Sequence, residues 1–490
     1  MKLPFVNLLM RLEPIRRQSL ISFGFKLLVT LFGFFSTIFF SRVLGTELMG
    51  VYFLFLTYYS IFNLVGDGGF AVAAIKRISE GHDQNEYMTA YAVLHLILTI
   101  VSTLILLIVS PYITELTRYE LVPWIIGALA AAVVFNTICT GVSGLNHQGI
   151  RNISTGVFDL ARIFASVILV LLGYCKYGMI AGVIIGIICS GLVCIRYFTF
   201  KPTRFSGKHI KSLLGFSFWA FFISSSSLII SYSDTIFINY FLDTSSVGIY
   251  RVALRFTEVS TFITAAILST LSPKISRWSV EGLMDKIGAV ISRAFTFGLI
   301  LAVPVAIGGI FLVDRLLYYF YGENFAAGAT ACIILLIYQI VYVFYAFIAC
   351  ALSNTNHVRK SFYGTIVALV LNIALNFILI PYLGINGAAV SSVISLIVNT
   401  LIVGLLLRKY VPFTVDMRAI LHIVAASCVM GLIVFVYTCF VPLTNVVVVL
   451  VPVCVGAVVY FVILLKLNKG IRNEIAGVVE NFGLKWPKWL

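Results

Sequence analysis

Val43–Tyr52 reads VLGTELMGVY, and the same frame returns at Phe241–Tyr250 as FLDTSSVGIY. Leu44, Thr46, Gly50 and Tyr52 match Leu242, Thr244, Gly248 and Tyr250. In each copy a long apolar run ends, a short polar turn follows, and Gly-aliphatic-Tyr opens the next apolar run. A second echo keeps nearly the same offset: Tyr177–Gly182 (YGMIAG) aligns with Leu383–Ala388 (LGINGA). One short apolar motif recurs easily by chance, but two ordered echoes are what duplication of a unit leaves behind. The pattern predicts two copies of a helical membrane bundle facing each other.

Composition agrees. The 490 residues are 61% hydrophobic and only 11% charged, where a soluble domain carries about 25% charged residues. A chain of this kind is an integral membrane protein. At roughly 20 apolar residues per crossing, the sequence predicts fourteen spans, near 20–42, 48–72, 89–111, 121–143, 153–173, 177–198, 214–241, 246–271, 288–313, 326–352, 362–381, 386–407, 419–440 and 445–465. The fold class is therefore all-α. Its expected divisions are a cytoplasmic lead-in at 1–19, an N-lobe of six spans at 20–198 and a basic linker at 199–213 carrying Pro202 and Gly207. A C-lobe of six spans follows at 214–407, then an appended pair of spans at 408–466 and a cytoplasmic tail at 467–490. Lys2, Arg11, Arg16 and Arg17 precede a first apolar run too long for a cleaved signal. Six spans per copy is an even number, so both copies share one orientation.

A net charge of +15 raises the question of nucleic acid, and placement answers it. Arg196, Lys201, Arg204, Lys208 and Lys211 follow span six, Lys274, Arg277 and Lys286 follow span eight, and the other even-numbered spans and both termini carry further basic residues. The opposite side holds only Arg42, Arg118, Lys176 and Arg315. That is the positive-inside asymmetry, and it places both termini in the cytoplasm. The partners expected for those loops are anionic lipid headgroups. No nucleic-acid partner is needed to account for the charge.

Inside the membrane an ionisable side chain costs at least ~2.5–3.5 kcal/mol at mid-depth, so each one is a site candidate. The cations are Lys26, Arg162, Arg251 and Arg255, and the acids are Asp67, Asp159, Asp234 and Glu258. Counting from the turns puts Lys26 level with Asp67, and Asp234 level with Arg255. Both pairs read equally as structural ion pairs and as cavity residues. Arg251, Arg255 and Glu258 fall on one helix face, and Asp159 lies one turn below Arg162. The cations outnumber what simple pairing needs and occur in both halves. Arginine suits phosphate, because its planar fork makes bidentate contacts and stays charged. In span seven, Ser224, Ser227 and Ser231 either contact sugar hydroxyls or let helices approach closely.

Other chemistry has no foothold. The nine cysteines are scattered through apolar runs with no metal-ligand spacing, as packing residues are. No catalytic residue set, phosphate-binding loop, metal site or selectivity-filter motif is present, so neither an enzyme nor a cofactor is expected.

Several stretches carry a family resemblance. SRVLGTELMGVY (Ser41–Tyr52) followed by GDGGFAVAAIKRIS (Gly66–Ser79), GLNHQGIRN (Gly144–Asn152) and, most specifically, LNIALNFILIPYLGINGAAVSSVIS (Leu371–Ser395) resemble polysaccharide transporters. These are the O-antigen-type oligosaccharide flippases of the multidrug/oligosaccharidyl-lipid/polysaccharide exporter superfamily, and the resemblance runs over essentially the whole chain. It implies two six-helix lobes in a V around a cationic cavity, with two extra C-terminal helices. It implies a polyprenyl-(pyro)phosphate-linked oligosaccharide as substrate, moved from the cytoplasmic to the outer face of the plasma membrane by alternating access. The phosphate and sugars would be held by cavity cations. Coupling to a proton or sodium gradient would fall to Asp67, Asp234 or Glu258, and glycan polymerase or ligase machinery would be neighbouring partners.

Three competing functions are distinguishable in principle. A lipid-linked peptidoglycan precursor flippase shares the fold and the charge logic. A drug or cation antiporter needs a net acidic cavity, which three membrane arginines oppose. A glycan polymerase or ligase needs a large outer loop with catalytic residues, and the outer loops are short.

Overall fold

The computed structural model describes residues 14–355 and 358–481, without the side chains of 14–23, 25, 26, 219, 223, 227, 358–361 and 478–481. Every regular element among them is a helix. Twelve are long and apolar enough to cross a membrane. Two of these, Leu27–Asp67 and Gln148–Ile195, run to 41 and 48 residues. Straight, they would be about 60 and 70 Å long, twice the ~30 Å hydrocarbon core.

Neither is straight, because each contains a glycine in the left-handed region. α1 (Pro14–Asp67) breaks at Gly45, with φ 76°. Phe32 and Tyr52, on either side of the break, would stand about 30 Å apart on a straight helix. Yet Phe32 meets Phe164, with ring centroids 5.8 Å apart, and Tyr52 meets Arg162 at 3.0 Å. The two contacts lie two residues apart on one neighbouring helix, so α1 folds back as a hairpin. The second long run reverses at Gly173, with φ 91°. With two crossings for each hairpin, the fourteen expected segments all find a helix.

Packing divides the chain into two compact units, Met1–Gly248 and Ile249–Leu490. In the first unit α1 is followed by α2 (Phe70–Ser79), α3 (Gln84–Val109), the short α4 (Thr114–Arg118), α5 (Leu121–Gly144), α6 (Gln148–Leu169), α7 (Cys175–Ile195) and α8 (Gly207–Phe241). α9 (Thr244–Thr257) straddles the boundary. α8 joins this unit at the basic end. A Cβ at Gly69 would collide with the backbone of Ser217 and Phe221, and Leu213 is buried with Phe70, Ala74 and Tyr91.

α6 and α7 form a tight antiparallel pair for a reason visible in α7. Gly178, Gly182 and Gly186 are spaced by four, and a Cβ on them would meet Leu169, Ser166 with Arg162, and Phe158 in turn. Small residues at this spacing let two membrane helices approach backbone to backbone.

The repeat has a physical expression. The helix breaks at Gly45 in the first copy and at Leu242–Asp243 in the second. A Cβ at Gly50 would overlap the carbonyl oxygen of Thr244, and a Cβ at Gly248 would overlap that of Thr46. Thr46 and Thr244, like Gly50 and Gly248, are the matched positions of the echo. The two copies of the motif therefore cross each other reciprocally. In the second echo the matched glycines differ in role. Gly384 is a turn residue with φ 58°, whereas Gly178 packs on Leu169 inside α7.

The second unit continues with α10 (Phe262–Val280), α11 (Met284–Tyr321), α12 (Ala329–Asn354), α13 (Val358–Leu383), α14 (Ile385–Arg408), α15 (Met417–Phe440), α16 (Val446–Leu467) and α17 (Lys469–Asn481). α15 and α16 are the pair expected as an appendage, but they share the core with α11. Met430, Val434, Tyr460 and Leu464 pack in one cluster with Phe295, Leu299 and Phe347. The Tyr460 hydroxyl donates to the Ile300 carbonyl at 2.8 Å, and that of Tyr319 to the Leu443 carbonyl at 2.7 Å.

Candidate functional site

The apolar helices bring charged side chains to three places. The first is Arg162 on α6. Its backbone carbonyl and Cβ lie against Gly182 and Gly186, so the close approach of α7 fixes where the side chain starts. One nitrogen, Nη1, donates to the Tyr52 hydroxyl at 3.0 Å, and Nη2 reaches Asp159 Oδ1 at 3.4 Å. Asp159, one turn away on the same helix, is the ion-pair partner of Arg162. The pair stays partly exposed, 28% for the arginine side chain and 33% for the aspartate. A carboxylate and a guanidinium in a hydrophobic span do not face acyl chains, so this face of α6 is a polar surface.

The second place is the face of α9 with Arg251, Arg255 and Glu258. Arg255 Nη1 donates to Glu258 Oε2 at 2.9 Å, and both side chains are about half exposed, at 56% and 46%. The same reasoning as for Arg162 makes this a polar face. At Glu258 the helix tightens into a 3-10 turn, Glu258–Thr261, before α10 resumes. Gln339 on α12 anchors it by donating to Thr257 Oγ1 at 3.1 Å. Arg251, the third member of this face, is half-buried.

The third is Asp67 at the end of α1. The chain passes through Gly68 and Gly69, both at positive φ, and turns the Ala71 amide back onto Asp67 Oδ1 at 3.2 Å. The Tyr91 hydroxyl donates to the same oxygen at 3.3 Å and lies 3.5 Å from Thr140 Oγ1. Tyr91 stacks on His95, with centroids 5.4 Å apart, and His95 Nδ1 meets Thr137 Oγ1 at 2.9 Å. Thr137 passes its own hydroxyl hydrogen to the Val133 carbonyl. It therefore accepts from His95, which places the imidazole hydrogen on Nδ1. This buried polar chain across α1, α3 and α5 was not anticipated from the sequence. Tyr91 and His95 at i, i+4 facing threonines were its only trace.

The remaining candidates lie on α1 and α8. The Lys26 side chain, and with it the Lys26–Asp67 pairing, lies outside the described residues, as does that of Ser227. Asp234 is buried on α8. Ser224 is half-buried and Ser231 exposed on α8. Their neighbours Ser226 and Ser233 return their hydroxyls to the carbonyls of Phe222 and Ile230.

With only helices among the described residues, and twelve of them long and apolar enough to cross a membrane, the chain belongs to the class of multi-pass membrane proteins. Comparison with known proteins narrows the class. Residues 39–330 match the family described as "Polysaccharide biosynthesis protein", and the chain belongs to that family. The chain is 28% identical over 439 residues to the "Probable low-salt glycan biosynthesis flippase Agl15" of Haloferax volcanii, covering 88% of this chain and 92% of that one. It is 25% identical over 476 residues to the "Probable flippase AglR" of the same organism, covering 95% and 98%. Its fold is shared with a solved structure of the lipid II flippase MurJ, at a TM-score of 0.75 and 18% identity over 91% of this chain and 98% of that one. It is also shared with an inward-facing multidrug-resistance MATE transporter of the MOP superfamily, at 0.62 and 19% identity over 78% and 94%. The chain is thus a membrane protein of the polysaccharide biosynthesis family, with the fold that MurJ and MATE transporters share.

Proposed function

We propose that the protein flips a polyprenyl-(pyro)phosphate-linked oligosaccharide from the cytoplasmic to the outer face of the plasma membrane, in the biosynthesis of a surface polysaccharide. The observation that carries this is the pair of partly exposed arginines, Arg162 and Arg255, held on apolar helices of a chain with two near full-length relatives that carry flippase names, one of them a glycan biosynthesis flippase. A lipid phosphate is the anion such arginines meet in a membrane, and the fork geometry suits it. Each arginine pairs with a partly exposed carboxylate three residues away, so at that contact an incoming phosphate exchanges one anion for another.

In this proposal the two six-span lobes rock to expose the cations to either face in turn, and the termini and basic loops lie in the cytoplasm against anionic headgroups. A proton or sodium gradient supplies direction through Asp67, Asp234 or Glu258. Polymerase or ligase machinery takes the glycan at the outer face.

The test is the lipid-linked glycan pool of cells lacking the gene, with sidedness assayed by access of an added glycan-cleaving enzyme to inverted and right-side-out vesicles. Completed repeat units accumulating on the cytoplasmic side support the proposal. A normal pool combined with altered sensitivity to cationic drugs overturns it in favour of antiport.

A further inference from the structure

The end of the first unit opposite the basic loops holds a cavity of about 520 Å³ that none of the charged faces uses. It is lined by Glu120, Trp124, Leu169, Tyr174, Tyr177 and Ala181 among others. We propose that it is a saccharide site, taking a neutral pyranose ring of the glycan on the outer side of the membrane. This rests on the flippase proposal for the source of the sugar and on the positive-inside topology for the side.

The walls argue for the ligand class. Trp124 at the start of α5 and Tyr177 at the start of α7 are stacked, with centroids 5.5 Å apart and 21° between planes. Tyr174, in the α6–α7 turn, is 59% exposed. The turn that presents these rings is set by Gly173 and by Cys175, both at positive φ. Flat rings over aliphatic walls accept the C–H face of a pyranose, and the volume lies within the ~300–1,000 Å³ of small-molecule sites. One carboxylate edges the cavity. Glu120 Oε2 accepts from the Tyr177 hydroxyl at 2.6 Å, and a carboxylate has further lone pairs for sugar hydroxyls.

Charge decides against the two other amphiphilic occupants of such a place. Lys176 Nζ lies 4.7 Å from the centre of the Tyr177 ring and donates to the Tyr119 carbonyl at 3.2 Å. A cationic headgroup entering the aromatic cluster would meet that ammonium. An anionic one would meet Glu120. A neutral, hydroxyl-rich ring with an apolar face meets neither penalty. The aromatics do not only form a girdle at the membrane boundary, because a girdle needs no concave pocket and no carboxylate hydrogen-bonded to one of its tyrosines.

The experiment is saturation-transfer difference NMR on the full chain in phospholipid nanodiscs free of sugar detergents. The probes are the methyl glycosides of glucose, galactose, mannose and N-acetylglucosamine, with empty nanodiscs as background. Transfer to the ring protons of at least one probe is expected, falling at least fivefold in Trp124→Ala and in Tyr174→Ala, retained in Trp124→Phe and unchanged in Arg277→Ala. The exposed Tyr174 keeps the test valid where Trp124→Ala fails to fold. No transfer to any probe, transfer surviving both alanine variants, or suppression of transfer by choline chloride as efficiently as by excess glycoside would each overturn the site. The two proposals fail separately. Cytoplasmic build-up of lipid-linked glycan in deletion cells without glycoside binding removes the site and leaves the flippase. Glycoside binding with a normal lipid-linked pool removes the flippase as the source of the sugar.

Discussion

Gly50 lies directly against the carbonyl oxygen of Thr244, in a space where no Cβ fits. Its repeat partner Gly248 stands in the same relation to Thr46. Contacts of this kind bring helix backbones close enough for weak Cα–H···O bonds and leave no slack for a side chain. Gly50→Ala and Gly248→Ala are each expected to destabilise the protein, by about 1–3 kcal/mol as overpacking does. The measurement is the midpoint of thermal unfolding by fluorescence-detected chromatography, and equal midpoints for wild type and both variants would show that the crossing gives way freely.

The two glycines also predict a coupling. Because their contacts are reciprocal, parting the helices at one position relieves the other. The double variant Gly50→Ala with Gly248→Ala should lose less than the sum of the single losses. Strict additivity would mean that the two contacts are independent.

The repeat was legible in the sequence because the motif and the crossing are the same residues, Thr46 with Gly50 and Thr244 with Gly248. The many membrane-crossing helices were legible from hydropathy, since an apolar run of crossing length reads as such however its ends connect. The reversals at Gly45 and Gly173 were legible as the gaps between spans 20–42 and 48–72 and between 153–173 and 177–198, but their positive φ was not, because a glycine in an apolar run has no marker for it. The partners of Asp67 were also hidden. Depth counting put Lys26 level with it, whereas hydrogen bonds from Ala71 and Tyr91 depend on the turn at Gly68–Gly69 and on packing between helices distant in sequence. The Gly178, Gly182 and Gly186 spacing is a plain sequence signal of close helix packing, and that packing falls beside Arg162.

Those three glycines lead to the next expectation. Gly182→Leu would push α7 off α6 and displace Arg162 from Tyr52, although residue 182 carries no charge. Transport, read as relief of cytoplasmic glycan-lipid accumulation in complemented deletion cells, should fall at least tenfold while membrane-inserted protein falls less. Arg162→Ala should lose as much, Arg162→Lys should recover only part because an ammonium lacks the planar fork, and the exposed Arg277→Ala should behave as wild type. Equal losses of protein and transport in Arg162→Ala would make the residue a structural pin.

Tyr91 offers a test of the Asp67 chain. Tyr91→Phe removes the hydroxyl that donates to Asp67 and leaves Thr140 facing a ring edge. A buried acceptor that loses a donor costs about 1–3 kcal/mol. Asp67→Asn changes the carboxylate but keeps an oxygen for the Ala71 amide. If Asp67 serves the structure alone, Asp67→Asn should lower the unfolding midpoint and leave the pH dependence of transport unchanged. If it carries the coupling ion, the midpoint should hold while transport stops responding to the gradient.

The face of α9 allows a charge exchange. Arg255 and Glu258 are three residues apart and half exposed, with one hydrogen bond between them. Swapping them as Arg255→Glu with Glu258→Arg preserves the pair and the net charge while moving the guanidinium by nearly one helical turn. A structural ion pair tolerates that change, since partly exposed pairs contribute little and the geometry between the two positions is similar. An arginine aimed at a lipid phosphate does not, because the cation then stands about 4–5 Å along the helix axis from where the phosphate arrives. The swapped protein is therefore expected at wild-type levels in the membrane with transport reduced at least tenfold, and wild-type transport from the swap would remove Arg255 from the substrate path.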